Sequence, residues 1–243
     1  MIMKPVGVKE QRLAFVERSK YILETLEQYC DPGVIYGIDP ARGSTGYAIR
    51  KKGGEIKTGA IVPKTYGFSK AMVVRSNLNV LIGQKRPLLA LEGYAHNARF
   101  GREKAGELGG LIRSVLYIKK VPLLIVAPLT IKAWIKAKKK EHIMLEILDK
   151  YGIKIANQDA ADAFVLQEIG HKFILMARSV ASREFEDAEE IRLFLKNSIY
   201  KNDFKGLDKL FKYQEAQLFR LILSQGLNLQ FFLRDNPFGQ KED

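Results

Sequence analysis

Four carboxylates stand out by where they fall. Asp39 closes a short apolar run at 34–38, and Glu92 closes another at 87–91. Asp159 and Asp162 are three apart at the start of a helical stretch. Residues three apart on a helix share a face, with Cβ atoms roughly 5–6 Å apart. The two strand ends can lie side by side if their strands neighbour each other in a mixed sheet. Carboxylates gathered in this way repel one another unless cations neutralise them. Their hard oxygens favour Mg²⁺ or Mn²⁺. Two such ions about 4 Å apart can activate a water and stabilise a leaving 3′ oxygen in phosphodiester hydrolysis. Each acid also has an ordinary reading. Asp39-Pro40 is a common turn former, and acids in a first helical turn suit the helix dipole without any metal. Glu92 follows a fully apolar run, where a carboxylate usually has a partner.

The charge distribution points to a polyanionic partner. The formal net charge is +13, and residues 34–177 carry 24 Lys/Arg against 11 Asp/Glu, while the segments on either side each balance. A positive field confined to one segment attracts nucleic acid, although an uneven basic surface is the plain alternative. No apolar run reaches the roughly 18 residues of a membrane span, so no membrane partner is expected. The first residues lack the pattern of a secretory signal. A single cysteine, Cys30, makes neither an internal disulfide nor a zinc site; it reads as a buried apolar residue in a reducing compartment, the cytoplasm.

The elements that would position the acids follow from periodicity. Residues 8–30 have helical spacing and end at Asp31-Pro32-Gly33. Short strands are expected at 34–38, 47–51 and 55–62, joined by tight turns into an antiparallel meander. A helix at 69–82, a strand at 87–91, a helix at 102–118 and a strand at 123–127 come next. Helices near 131–135, 141–151 and 157–173 complete the series. Gly106, Gly109 and Gly110 suggest that the 102–118 helix packs closely on a neighbour. The order β-β-β-α-β-α-β-α-α-α implies an α/β fold, a mixed sheet with helices on its faces. Residues 182–200 and 204–224 read as two amphipathic helices. The chain thus divides into a helical extension at 1–33, a core domain at 34–177 and a second helical extension at 178–243.

With these residues in view, a family resemblance becomes visible. Gly37-Ile38-Asp39-Pro40 with Thr45-Gly46-Tyr47-Ala48-Ile49 resembles the opening strand pair of the RuvC family of Holliday junction resolvases. Leu91-Glu92-Gly93-Tyr94-Ala95 is similar to its second acidic strand. The stretch Gly106-Glu107-Leu108-Gly109-Gly110-Leu111-Ile112 is similar to the helix that follows, above all in phage-type members. Asn157-Gln158-Asp159-Ala160-Ala161-Asp162-Ala163 is similar to its closing Asp-x-x-Asp helix. The resemblance covers about residues 34–177. It implies an RNase H-like fold, a homodimer, a Mg²⁺ or Mn²⁺ pair on Asp39, Glu92, Asp159 and Asp162, and paired nicks in four-way DNA junctions. Where the family often has an aromatic residue three past its second acid, this chain has Ala95, with Tyr94 or Phe100 as substitutes.

The basic residues divide in the same way. Lys132, Lys136, Lys138, Lys139 and Lys140 form a cluster that is otherwise a solvated loop. The resemblance makes Lys132 and Lys140 phosphate binders close to the metals, and Lys132 a catalytic cation able to stabilise charge on the scissile phosphate. Arg99 and Arg102, with Lys104, follow Glu92 closely and suit the same channel, or an exposed loop. Tyr94 and His96 are further DNA-binding candidates, although an ordinary polar loop histidine is the commoner case for His96. Trp134 reads as core, and His142 and His171 carry no role.

Three rivals share these features. An ATPase of the actin and sugar-kinase type also opens on a strand–turn–strand with Asp and Gly, but it needs a duplicated domain. A non-catalytic nucleic-acid binder would gain nothing from four acids that repel phosphate. A nuclease of the same fold acting on flaps, other branched DNA or RNA–DNA hybrids fits the same residues, because fold does not set substrate.

Overall fold

A computed structural model of the chain describes residues 30–41, 43–93, 102–126, 128–135, 137 and 140–182, with Lys20, Glu24, Leu26, Glu27, Glu184, Glu190 and Leu193 as isolated positions. The expected helices at 8–30, 182–200 and 204–224 therefore lie outside the described residues, apart from those few positions.

Five strands form one sheet: β1 (Ile35–Asp39), β2 (Thr45–Arg50), β3 (Ile56–Ile61), β4 (Leu88–Glu92) and β5 (Leu123–Val126). Their spatial order is β3-β2-β1-β4-β5. β1, β2 and β3 pair antiparallel, while β4 joins β1 in parallel and β5 joins β4 in parallel. The helices are α1 (Phe68–Ile82), α2 (Arg102–Ile118), α3 (Pro128–Ile135), α4 (Ile143–Tyr151) and α5 (Gln158–Ala181), with a 3₁₀ turn at Lys140–His142. The element order matches the one read from periodicity. A meander extended by two parallel strands, with helices on both faces, is the RNase H-like arrangement.

The sheet separates two apolar layers because side chains alternate along each strand. Ile35, Ala48, Leu88, Ala90, Leu124 and Val126 face one layer, which α3, α4 and α5 complete with Ile131, Trp134, Ile143, Ile147 and Phe164. Tyr36, Ile38, Ile49, Leu89, Leu91 and Leu123 face the other, against α1 and α2. β1 is buried at all five positions, as a strand covered on both faces must be.

α5 is the helix that sets the site. Its Asn157 cap accepts a hydrogen bond from the Ala160 N–H at 2.7 Å, which satisfies one of the orphan donors of the first turn. Ala160 to Gly170 are all buried. The helix lies directly on β1 and β2 where those strands lack side chains: a Cβ built on Gly37 would strike Ala163 and Gln167, and one on Gly46 would strike Asp159. It runs on to Ala181, beyond the end at 173 that periodicity suggests.

The helix at 102–118 packs on α1 as expected, with Gly109 buried, but Gly106 and Gly110 have open space where a side chain would be. Four residues apart on a helix, they share a face, and α2 buries instead Leu108, Ile112, Val115 and Leu116. Trp134 is core, as expected. Cys30 is buried, and burial pushes its thiol up to about 12 against the opposing pull of Arg86, so it stays protonated and unreactive. Among the described residues no helix is long and apolar enough to cross a membrane.

Candidate active site

The parallel pairing of β1 with β4 determines the position of two of the acids. Ile35, Tyr36, Gly37 and Ile38 lie opposite Leu88, Leu89, Ala90 and Leu91. The next step in this register sets Asp39 beside Glu92, one strand spacing of about 4.8 Å apart at the backbone. Paired positions of adjacent strands share a face. Counting by alternation from Ile35 and Leu88, both acids stand on the face that α5 covers. Asp39 is 5% exposed and Glu92 is half-buried. Glu92 in turn pairs with Val126 at the end of β5, and the Gly93 N–H donates to the Val126 carbonyl at 2.7 Å.

On its other side Asp39 pairs with Gly46, the residue on which Asp159 rests. The first turn of α5 therefore sits over the end of β1. Asp159 is half-buried and Asp162, one turn further, is 6% exposed. The turn between β1 and β2 is stapled by Thr45, whose hydroxyl donates to the Ala41 carbonyl at 2.7 Å and accepts from the Ala41 N–H at 3.3 Å. Asp39 and Glu92 thus end neighbouring strands on one face of the sheet, and the helix turn that bears Asp159 and Asp162 lies over the same end. Their side chains are not drawn into a ready-made metal cage: among the described residues, no three His, Cys, Asp or Glu side chains gather closely enough to hold an ion. The donor set itself, four carboxylates, fits a hard divalent cation and not a soft one.

Lys132 is exposed on α3, the helix that follows the end of β5. Ile131, Trp134 and Ile135 anchor α3 in the same apolar layer as α5. Arg102 opens α2 and Lys140 opens the 3₁₀ turn. Their side chains lie outside the described residues, as do Tyr94, His96, Arg99, Lys136, Lys138 and Lys139 altogether.

Reading the sequence missed a polar network at the far end of the same interface. Arg50, the last residue of β2, forms an ion pair with the buried carboxylate of Glu168 on α5. With its amide turned to suit its surroundings, Gln167 accepts from the Arg50 Nε–H at 2.8 Å and donates to Glu168 Oε1 at 3.3 Å. Gln167 is 0% exposed and Glu168 3%, so the pair ties the helix to the sheet in a medium where the bond is strong. Gln167 and Glu168, two adjacent polar residues between the apolar stretches Ala163–Leu166 and Ile169–Gly170, were the available signal. His171, one turn on, has its pKa lowered to about 4 by burial and by the charges of Arg50, Lys172 and Arg178, so it is neutral near pH 7.

No family model and no curated protein matches the chain. Among solved structures it is similar to a Thermus thermophilus RuvC structure, at 20% identity over 59% of this chain and 95% of that one, with a TM-score of 0.46. It is also similar to T. thermophilus RuvC in complex with Holliday junction substrate, at 18% identity over 61% of this chain and 97% of that one, with a TM-score of 0.48. The likeness is one of fold, and the site is read from its own residues.

Proposed function

We propose that this chain is a metal-dependent, structure-selective DNA endonuclease that resolves four-way junctions by paired phosphodiester hydrolysis. One observation carries the reading: β1 and β4 run parallel and in register to end on Asp39 and Glu92, under the helix that bears Asp159 and Asp162. Rigid strand ends hold the first two acids, and α5, laid on Gly37 and Gly46, holds the other two. These carboxylates would bind two Mg²⁺ or Mn²⁺ ions, which supply water activation and stabilisation of the leaving 3′ oxygen. Lys132, exposed on the helix that follows β5, would offer a cation to the scissile phosphate. The excess of positive charge in residues 34–177 draws in the polyanion. The motif resemblance to the RuvC family supports the junction as substrate and a homodimer as the form that makes two symmetric nicks.

The test is cleavage of a synthetic four-way junction beside flap, fork, duplex and hybrid substrates, with Mg²⁺, Mn²⁺ or chelator. Symmetric paired nicks in the junction, abolished by chelator, are expected. Preferential cutting of flaps or hybrids would select another nuclease of this fold. Asp39→Asn and Glu92→Gln should abolish cleavage while DNA binding stays intact or tightens. Wild-type cleavage by either variant would end the metal-site reading.

A further inference from the structure

The connection between β3 and α1 emerges at the carboxylate end of the sheet. Ile61, the last residue of β3, lies opposite Thr45, whose neighbour Gly46 is opposite Asp39. β3 is therefore two strands from Asp39, a lateral distance of about 10 Å. The chain that leaves it exposes two rings in succession: Tyr66 is 88% exposed and Phe68 is 52% exposed. Gly67 between them has φ +56°, a conformation that L side chains rarely adopt, so the backbone bends between the rings. Lys64 is exposed just before them, and Lys70 is half-buried at the start of α1.

Apolar surface left in water at one place calls for an occupant. The charge around these rings indicates which. Residues 62–70, which carry the rings, contain Lys64 and Lys70 and no Asp or Glu. Protein contact surfaces are depleted in lysine at their centres. Rings flanked by lysines are what proteins use on single-stranded nucleic acid: bases stack on the rings and the cations track the backbone.

We propose that the β3–α1 connection is a second nucleic-acid contact, in which Tyr66 and Phe68 stack on unpaired bases and Lys64 and Lys70 bind the flanking phosphates. The proposal rests on the nuclease reading, since a branched substrate opened at its crossing point offers unpaired bases near the cut. It is tested in the full chain with Tyr66→Ala/Phe68→Ala, Tyr66→Phe and Lys64→Ala. Affinity for a fluorescent oligo-dT and for a paired duplex of equal length is read by anisotropy, beside cleavage of the four-way junction. The double variant should lose about tenfold or more on oligo-dT and stay within about twofold on duplex. Tyr66→Phe should keep the wild-type value. Lys64→Ala should reduce the salt slope of oligo-dT binding by about 0.7. Unchanged oligo-dT affinity, or an equal loss on duplex, overturns the proposal. So does a double variant that dissociates a wild-type oligomer in sedimentation while its oligo-dT affinity per protomer is unchanged, because the rings then serve a protein contact. If wild type cuts junctions and the ring variants are indifferent, only this contact is refuted. If wild type binds no DNA, the nuclease reading is refuted with it.

Discussion

Gly46→Ala examines the seat of α5 directly. A Cβ at this position overlaps the Asp159 carbonyl and comes within 2.9 Å of the Ala160 nitrogen, and both are backbone atoms that no rotamer change can move aside. The first turn of α5 has to recede by about 1 Å to bring the carbonyl back to 3.0 Å, the limit that real Cβ contacts respect. Overpacking of this kind costs about 1–3 kcal/mol, a fall in Tm of roughly 3–10 °C for a chain of this size. The larger effect should be on chemistry, because Asp159 and Asp162 ride on the displaced turn. A misplacement of about 1 Å can cost on the order of 100-fold in rate. Calorimetry and single-turnover junction cleavage read the two effects, and DNA affinity should hardly move. Gly43→Ala, in the same β1–β2 turn but with open space around it, is the control and should leave both values near wild type. If Gly46→Ala keeps wild-type Tm and rate, α5 does not rest on β2 here and the placement of its two acids is wrong.

Two further outcomes concern the network behind the site. Glu168→Gln leaves the Arg50 guanidinium without its counter-charge at a position 17% exposed, and should cost about 2–3 kcal/mol in urea unfolding. Arg50→Met/Glu168→Leu should recover most of that loss, and a double variant as unstable as the single one would refute the account. The second outcome is a pH dependence. His171 has a folded pKa of about 4 against an ordinary 6.5, so the unfolded chain binds the proton more readily in that interval. Stability is then fully present above pH 6.5 and declines as pH falls towards 4, by at most about 1.4 kcal/mol per pH unit. Burial depresses the pKa most, followed by the charges of Arg50, Lys172 and Arg178, with Glu168 already committed to Arg50. Unfolding of His171→Asn between pH 4 and 7 should show a flatter profile, and an unchanged profile would discard this cause.

Local pattern carried a large part of this protein. Apolar runs of four or five residues marked β1 and β4, and turn residues separated β1, β2 and β3, so the element order was legible and each acid could be placed at a strand end or a helix start. Period and punctuation are properties of neighbouring residues, and any window of the sequence contains them. Pairing is not such a property. Nothing within 34–39 or 87–92 states that these strands are adjacent, parallel and in register, yet that alone sets Asp39 beside Glu92. The same holds for Gly46 beneath Asp159, for the Arg50–Glu168 ion pair across 118 residues, and for the exposed rings of Tyr66 and Phe68 at the carboxylate end of the sheet. The glycines of α2 show the converse, since all three suggested a close contact, yet only Gly109 is buried while Gly106 and Gly110 face open space. Sequence periodicity tells which face of an element seeks burial; only the assembled sheet decides what lies against that face, because the contacts that settle it join residues far apart in the chain.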